Sequence, residues 1–276
     1  MSRKPRNCLC DARSYVVTWA IFLSLFSLTG CASDPVNPSF PTQLEAAKDD
    51  LKRIEASPMS LDRPLVVVGG FLDPGIAASW LKAEFSSLTA DRRIVQVELF
   101  DCGSLQECRE KIVHAVDKAY PSDSADVTRE VDVIGVSLGG LAARYASSPV
   151  GRGKRLAVAH LFTISSPLRG AKLAEDLPLL IPFQAELRPG SAEMKALNAW
   201  EAGYPTYSYI CLGDDIIGDE NAAVSGRTAW WLSKAPMADV HGGAFYDARI
   251  LADITRRLRH EPALAMDPPA ALPAKG

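Results

Sequence analysis

The pentapeptide 135–139, Gly-Val-Ser-Leu-Gly, constrains the fold of this chain more than any other feature. It follows the apolar run 131–134 and opens the helix-like stretch 138–147. A strand that turns directly into a helix through a serine needs small residues on both sides, because the backbone before and after the turn nearly collides. Such a turn raises the serine hydroxyl above the edge of the sheet. The pattern makes Ser137 a candidate nucleophile, although a Gly-x-Ser-x-Gly string alone is a weak signal.

Apolar runs and helical patterns alternate along a chain of 276 residues, which is long enough for one large domain. The predicted strands cover residues 64–68, 93–99, 131–136, 160–164 and 207–212, and the predicted helices cover 77–88, 105–120, 138–147, 192–202 and 244–259. Near-continuous apolar runs are typical of strands that are buried on both faces. The alternation indicates right-handed crossovers. We therefore expect an α/β fold with a mostly parallel central sheet and helices on both faces.

A serine hydroxyl is a poor nucleophile near neutral pH, so it needs a base within hydrogen-bond reach and an acid that orients the base. Asp214 and Asp215 follow the predicted strand 207–212, and His241 precedes two glycines and the last helix. The carboxyl ends of parallel strands meet at one edge of a sheet, where active sites lie. We predict that Ser137, His241 and one of the two aspartates form a catalytic triad. The alternatives are a structural histidine and an aspartate pair that only caps a turn.

Two backbone N–H groups are predicted to form an oxyanion hole for this triad. Leu138, directly after the serine, supplies one, and Phe71, in the Gly-Gly-Phe stretch after the strand 64–68, supplies the other. The glycines allow close approach of the backbone, and the alternative is a Gly-Gly turn that merely ends the strand. The other three histidines do not stand at a predicted carboxyl end of a strand: His114, His160 and His260.

Residues 64–258 resemble the bacterial lipase and esterase branch of the α/β-hydrolases. The segments that carry the resemblance are Gly-Gly-Phe at 69–71, Thr-Ile-Ser-Ser-Pro-Leu-Arg-Gly at 163–170, Pro-Gly-Ser at 189–191 with Leu-Asn at 197–198, and Gly-Asp-Asp-Ile-Ile at 213–217. They are similar to the family's His-Gly-Phe, Thr-Ile-x-x-Pro-His-x-Gly, Pro-Gly-Ser with Leu-Asn, and acid-loop segments. The resemblance implies an α/β-hydrolase fold and picks Asp214 as the acid, with Asp215 as the alternative. Gly69 and Leu168 stand where the family has histidines.

The resemblance also implies an activity: a serine hydrolase that cleaves small-molecule or lipid carboxylic esters through an acyl-enzyme, without a cofactor. An acyltransferase or amidase with the same triad is one alternative. A non-catalytic envelope binding protein on a hydrolase scaffold is another, because a fold alone does not assign a function. The net charge of −3 gives no electrostatic case for a nucleic-acid partner. No metal-ligand spacing is visible in the sequence.

Residues 1–30 have the pattern of a signal peptide for export. Basic residues precede the apolar stretch 15–28, which is shorter than the roughly 20 residues of a spanning helix. The stretch ends in Leu-Thr-Gly-Cys, which resembles the lipobox of bacterial lipoproteins and implies cleavage before Cys31 and acylation of its thiol. The following Ala-Ser implies outer-membrane retention, so we expect a lipid-anchored protein of the bacterial cell envelope. The alternatives are an ordinary secretory signal and an uncleaved anchor.

We expect residues 31–41 to form a tether, 42–260 the α/β-hydrolase domain and 261–276 a disordered tail rich in Pro and Ala. An oxidising compartment permits a disulfide between Cys102 and Cys108, and the alternative is two free thiols.

Two apolar features leave alternatives open. The segment 173–183 is either a lid or acyl-chain wall, or a connection packed in the core. The adjacent tryptophans 230–231 belong to a pocket wall, a membrane contact or the core.

Overall fold

The structure, a computed structural model, describes residues 37–71, 73–176, 182–233 and 235–274. The predicted signal peptide 1–30, the predicted lipidation site Cys31 and most of the predicted tether lie outside the described residues, as does the middle of the segment 173–183. Within the described ranges, none of the helices combines the length and the apolar composition that crossing a membrane requires.

A parallel sheet forms the centre of the described chain. Its strands are β1 (Leu65–Val68), β2 (Ile94–Val97), β3 (Val131–Val136), β4 (Val158–Ile164), β5 (Thr206–Cys211) and β6 (Trp230–Leu232). They stand in the order β2-β1-β3-β4-β5-β6. The chain leaves β1 for one edge, returns past it to β3, and then adds each later strand on the other side. Ligands of open α/β sheets bind beyond the carboxyl ends of the strands where this direction reverses, here β1 and β3.

Strand β1 shows why the apolar runs are continuous. Leu65 and Val67 belong to the core on one face of the sheet, and Val66 and Val68 belong to the core on the other. Successive side chains of a strand point to opposite faces, so a central strand needs an apolar residue at every position. The predicted α/β fold with a mostly parallel sheet is confirmed.

Helices cover both faces of the sheet. Those of the described residues are α1 (Leu44–Glu55), α2 (Ile76–Thr89), α3 (Leu105–Ala119), α4 (Leu138–Ser147), α5 (Lys172–Asp176), α6 (Pro182–Glu186), α7 (Ala192–Ala199), α8 (Val240–Gly243) and α9 (Ala248–Leu258). Helices α2 and α9 pack on one face, with α1 against α9, and α3, α4 and α7 pack on the other.

The expected limits of the domain are wrong at its amino-terminal end. Asn37, Ser39 and Phe40, which fall in the predicted tether, are buried. The ring of Phe40 lies 6.1 Å from that of Tyr209 in β5, and the Asn37 amide donates to the carbonyl of Trp231 in β6. Because the Phe40 side chain is buried in the core, residues 37–40 belong to the domain rather than to a tether.

The expectation of a disordered tail is also wrong, for residues 261–274. Ala265 is buried, and the Met266 N–H donates to the carbonyl of Ser39 at 2.9 Å. The indole N–H groups of Trp230 and Trp231 donate to the carbonyls of Met266 and Ala270. A buried indole N–H needs an acceptor, and the carboxyl-terminal segment supplies one to each ring.

Other differences concern the last elements. Strand β6 was not predicted, and it places both tryptophans of the 230–231 pair in the core, where they are 6% and 7% exposed. The helix expected at 244–259 is divided into the 3₁₀ turn Ala244–Tyr246 and α9. The Asp247 carboxylate separates them, because it accepts the N–H of Arg249 and caps α9.

Candidate active site

Ser137 occupies the sharp turn between β3 and α4. Its backbone, with φ 51° and ψ −125°, is strained for a residue with a Cβ atom. The turn closes because the residues two positions before and two positions after the serine are glycines. A Cβ on Gly135 would lie 2.3 Å from the nitrogen of Gly140, and a Cβ on Gly139 would lie 2.2 Å from the oxygen of Val68. The turn thus holds the serine hydroxyl at the carboxyl end of β3.

His241 lies in the short helix α8, directly before its two glycines. Its Nε2 is 2.9 Å from Ser137 Oγ, and its Nδ1 is 2.8 Å from Asp214 Oδ2. Both are hydrogen-bond distances. The imidazole is 17% exposed and the Asp214 carboxylate is fully buried. The structure brings together the three residues predicted for the triad, although Ser137 and His241 are 104 residues apart in sequence.

The two adjacent aspartates have different surroundings. Asp214 Oδ1 accepts the N–H groups of residues 216–217 at 3.1 and 3.3 Å, which leaves Oδ2 to His241. The Asp215 side chain is 88% exposed and pairs with Lys172 Nζ at 2.8 Å. The geometry therefore favours Asp214 over Asp215 as the group that orients the histidine.

Sequence reasoning missed Asp219, which lies in the 3₁₀ turn Asp219–Asn221 after β5. Its Oδ1 accepts the N–H groups of Gly213 and Asp214 at 3.0 and 3.3 Å. Burial raises the pKa of Asp219, as do the charges of Asp214 and Glu220, while the two N–H groups oppose the increase. The Gly-Asp pair at 218–219, typical of a turn, is the signal that could have indicated it.

Both residues predicted for the oxyanion hole lie beside the serine. The loop after β1 passes so close that a Cβ on Gly70 would lie 3.2 Å from Ser137 Cβ, and Phe71 lines the same cavity as Ser137. Leu138 is the first residue of α4. Its N–H is therefore among the first-turn groups that have no acceptor within the helix, and it lies at the positive end of the helix dipole.

Asp73, which the sequence did not single out either, shapes the same loop. Its Oδ1 accepts the N–H groups of Gly75 and Ile76 at 3.0 and 2.7 Å, where α2 begins. The carboxylate supplies acceptors to N–H groups that the helix itself leaves unpaired.

A cavity of about 340 Å³ lies in front of Ser137. Its walls are mainly apolar and include Phe71, Ile76, Ala77, Val136, Met237, Phe245 and Tyr246. The Tyr246 ring lies 4.6 Å from that of Trp80 and 4.1 Å from that of Phe245, so aromatic packing supports this wall. Its ionisable side chains are those of Asp73, Asp239, His241 and Tyr246. The volume lies within the roughly 300–1,000 Å³ of ligand pockets, and the walls suit an acyl or alkyl chain.

The cysteines 102 and 108 are buried free thiols in the structure. The Cys108 thiol forms a hydrogen bond with Cys102 and lowers the pKa of Cys102, while that bond and burial raise the pKa of Cys108. The structure thus contains two free thiols, which is the alternative to a disulfide. The disulfide between Cys102 and Cys108 stays a prediction. Cys211 is buried and burial raises its pKa, which suits a small hydrophobic residue.

The other histidines make different contacts. His160 Nδ1 pairs with Asp132 Oδ1 at 2.7 Å, and Asp132 is the second residue of β3, at the end opposite Ser137. His260 pairs with Asp62 at 2.8 Å, and His114 lies within α3. In the part of the chain that the structure describes, no group of three or more His, Cys, Asp or Glu side chains could hold a metal ion.

The described ends of the segment 173–183 differ in their surroundings. Leu173, in α5, is 40% exposed, and its N–H donates to the carbonyl of Ile216 at 2.9 Å. Phe183, in α6, is 1% exposed and packs edge-on against Phe71 at 5.7 Å. One end therefore contacts the acid loop and the other contacts the loop of the predicted oxyanion hole. Whether the segment acts as a lid stays a prediction.

No protein-family model matches this chain, and no curated protein matches it in sequence. The solved structures that are similar to this chain include the following three. Phospholipase PlaB from Legionella pneumophila in complex with thio-NAD is 13% identical with a TM-score of 0.42, and the match covers 58% of this chain and 43% of that chain. The metagenomic carboxyl esterase MGS0156 is 12% identical with a TM-score of 0.43, covering 74% and 77%. EstA from Clostridium botulinum is 12% identical with a TM-score of 0.36, covering 61% and 70%.

This chain spans less than half of the length of the phospholipase. At these identities the similarity concerns the fold alone. The strand order, with its sharp turn at the carboxyl end of β3 and the histidine after the last strand, is that of the α/β-hydrolase fold.

Proposed function

We propose that this chain is a serine hydrolase that cleaves carboxylic esters through an acyl-enzyme. The observation that carries the proposal is the continuous chain of hydrogen bonds from Ser137 Oγ through His241 to the buried carboxylate of Asp214, at 2.9 and 2.8 Å. A nucleophile, a base and a group that orients the base are the parts that such catalysis needs.

The direction of proton transfer follows from the donors and acceptors. A carboxylate only accepts hydrogen bonds, so His241 Nδ1 donates to Asp214 and Nε2 is left to accept the proton of Ser137. Ser137 Oγ then attacks the ester carbonyl, and His241 carries the proton to the departing alcohol. Water, deprotonated by the same imidazole, hydrolyses the acyl-enzyme and frees the acid.

The surroundings of the serine fit an ester with an apolar part. The N–H groups of Phe71 and Leu138 are the proposed donors to the tetrahedral oxyanion, and the apolar cavity in front of Ser137 would hold the acyl or alkyl chain. This chemistry uses side chains and backbone groups of the protein itself, and it needs no cofactor.

A fluorophosphonate probe tests the proposal, because it labels an activated serine covalently. We expect the wild type to be labelled and to hydrolyse nitrophenyl esters, Ser137→Ala to lose both properties, and His241→Ala to be labelled much more slowly. In a serine protease, loss of either residue costs about 2 × 10⁶ in kcat. A folded wild type that is neither labelled nor active would overturn the proposal and favour a binding protein on a hydrolase scaffold.

The two aspartates provide a matched pair in the same assay. Asp214→Asn should lower kcat by about 10⁴, the value for the corresponding change in a serine protease. The single amide oxygen would accept the N–H groups of residues 216–217, so the NH2 group would face His241 Nδ1 and favour the tautomer whose Nε2 already carries a proton. Asp215→Asn alters an exposed side chain and should leave kcat close to that of the wild type. The reverse result would make Asp215 the acid.

We also propose that a lipid on Cys31 anchors the protein in the bacterial cell envelope, on the outer membrane. The support is the sequence alone: a basic start, the short apolar stretch 15–28 and the Leu-Thr-Gly-Cys that follows. Two or more acyl chains, at about 0.8 kcal/mol per buried methylene, would hold the protein stably without a spanning helix.

A further inference from the structure

The loop after β5 closes on itself through a second aspartate. Asp219 Oδ1 accepts the N–H of Gly213 at 3.0 Å and that of Asp214 at 3.3 Å. Gly213 has φ 86°, a conformation that favours glycine, so the chain turns sharply just before Asp214. One oxygen of Asp219 therefore binds the backbone N–H groups of Asp214 and of the residue before it.

The remaining polar groups of Asp214 are held by other residues. Its carbonyl accepts the N–H of Gly218 at 2.8 Å, and its Oδ1 accepts the N–H groups of residues 216–217. Its Oδ2 is the oxygen that meets His241 Nδ1. The Asp219 side chain thus holds the backbone N–H of Asp214. N–H groups of the loop backbone hold the carbonyl and the Oδ1 atom of Asp214.

We propose that Asp219 is a positioning residue of the hydrolase: it holds Asp214 in the orientation in which Oδ2 accepts the proton of His241 Nδ1. Its consequence for catalysis rests on the proposed function. The arrangement places one carboxylate close behind another, and burial together with the charge of Asp214 raises the pKa of Asp219. The two backbone N–H groups oppose this increase in part, since each stabilises the ionised carboxylate.

Three variants separate positioning from a general effect on the loop. Asp219→Ala removes the acceptor, Asp219→Asn keeps an oxygen that can accept both N–H groups, and Glu220→Ala removes a negative charge from the exposed neighbouring residue. We expect Asp219→Ala to lower kcat by between about tenfold and a hundredfold, the effect of a small misplacement of a catalytic group. KM should change little because Asp219 does not line the cavity. Asp219→Asn and Glu220→Ala should keep most of kcat.

Proton NMR supplies a readout that does not depend on turnover. The Nδ1–H of a histidine bonded to a carboxylate resonates far downfield, so the signal should be present in the wild type and in Asp219→Asn, and broadened or lost in Asp219→Ala. If Asp219→Ala does not fold, Asp219→Ser, whose hydroxyl is too short to reach both N–H groups, takes its place with the same expected results.

The proposal is overturned if the folded Ala or Ser variant keeps both kcat and the downfield signal, if its loss is confined to KM, or if Asp219→Asn loses as much as Asp219→Ala. An unlabelled wild type overturns the proposed function instead. In that case the downfield signal still decides whether Asp219 holds the pairing of Asp214 with His241.

Discussion

Single residues decide the geometry at the candidate nucleophile. Ser137 has a backbone conformation that few residues with a side chain adopt, and two nearby glycines allow it. A Cβ on Gly139 would lie 2.2 Å from the carbonyl oxygen of Val68 in β1 and 2.6 Å from that of Gly69. Both are backbone atoms, one at the end of β1 and one directly after it, and they cannot move aside as a flexible side chain can.

Gly139→Ala should therefore lower both the stability of the protein and the reactivity of Ser137. The added methyl group would push α4 away from β1, which should lower the free energy of unfolding by about 1–3 kcal/mol or more, as overpacking does. Urea unfolding measures the change, and fluorophosphonate labelling reports on Ser137. Gly203→Ala is the matched control, because a Cβ there has no heavy atom within 4 Å. Equal stability of the two variants would contradict this account of the turn.

At the scale of elements, Asp253 in α9 joins several parts of the fold. Its Oδ2 accepts the hydroxyl of Tyr209 in β5 at 2.7 Å and Arg257 Nε at 2.8 Å. Its Oδ1 accepts the N–H groups of Leu264 and Ala265 at 2.6 and 2.8 Å. The carboxylate is fully buried, and these hydrogen bonds replace those that water would make to it.

Asp253→Ala should destabilise the protein by about 3–5 kcal/mol, because it leaves the Arg257 guanidinium and a buried hydroxyl without their acceptor. The segment 261–274 should also become more susceptible to limited proteolysis, since it loses two backbone hydrogen bonds to α9. Chemical denaturation provides the measurement. Asp49→Ala is the control: it removes an exposed ion pair with Lys52, in which both side chains are 75% exposed, and should change stability far less than Asp253→Ala. Similar losses in both variants would contradict the role of Asp253.

At the scale of the whole molecule, the candidate site and the proposed anchor lie in different parts of the chain. Ser137, Asp214 and His241 all belong to the described residues, whereas Cys31 lies outside them. Anchoring and ester hydrolysis can therefore be tested separately, since the hydrogen bonds of the candidate site involve only residues of the described domain.

Cys31→Ser should abolish labelling by a fatty acid and either release the protein from the membrane fraction or leave it as an unprocessed precursor. Hydrolysis of a soluble ester should persist, because the substitution leaves the candidate site unaltered. The measurements are radiolabelled palmitate incorporation, membrane fractionation and esterase activity, with Ser137→Ala as the opposite control that is anchored but inactive. Unchanged lipid labelling of Cys31→Ser would remove the proposed lipid anchor.

Most of the sheet could be predicted, because strands buried on both faces are apolar at every position. The predicted strand 131–136 matches β3 residue for residue, and its neighbours differ by only a few residues at their ends. Strand β6 was missed since a run of three residues carries too little periodicity to be recognised. The last helix was misjudged because Asp247 caps α9 inside an otherwise continuous helical pattern.

The α/β architecture and the turn at Ser137 could be inferred from the amino-acid sequence, because they depend on which faces of the elements are buried and on local backbone sterics. The order of the candidate groups can be read directly along the chain. The folded structure is needed to show that Asp214 is buried against His241 while Asp215 faces solvent. It also shows that Asp219 holds the acid loop and that the carboxyl-terminal segment covers β6. Two adjacent aspartates look alike in the sequence, and they differ only through contacts made after the strands are assembled.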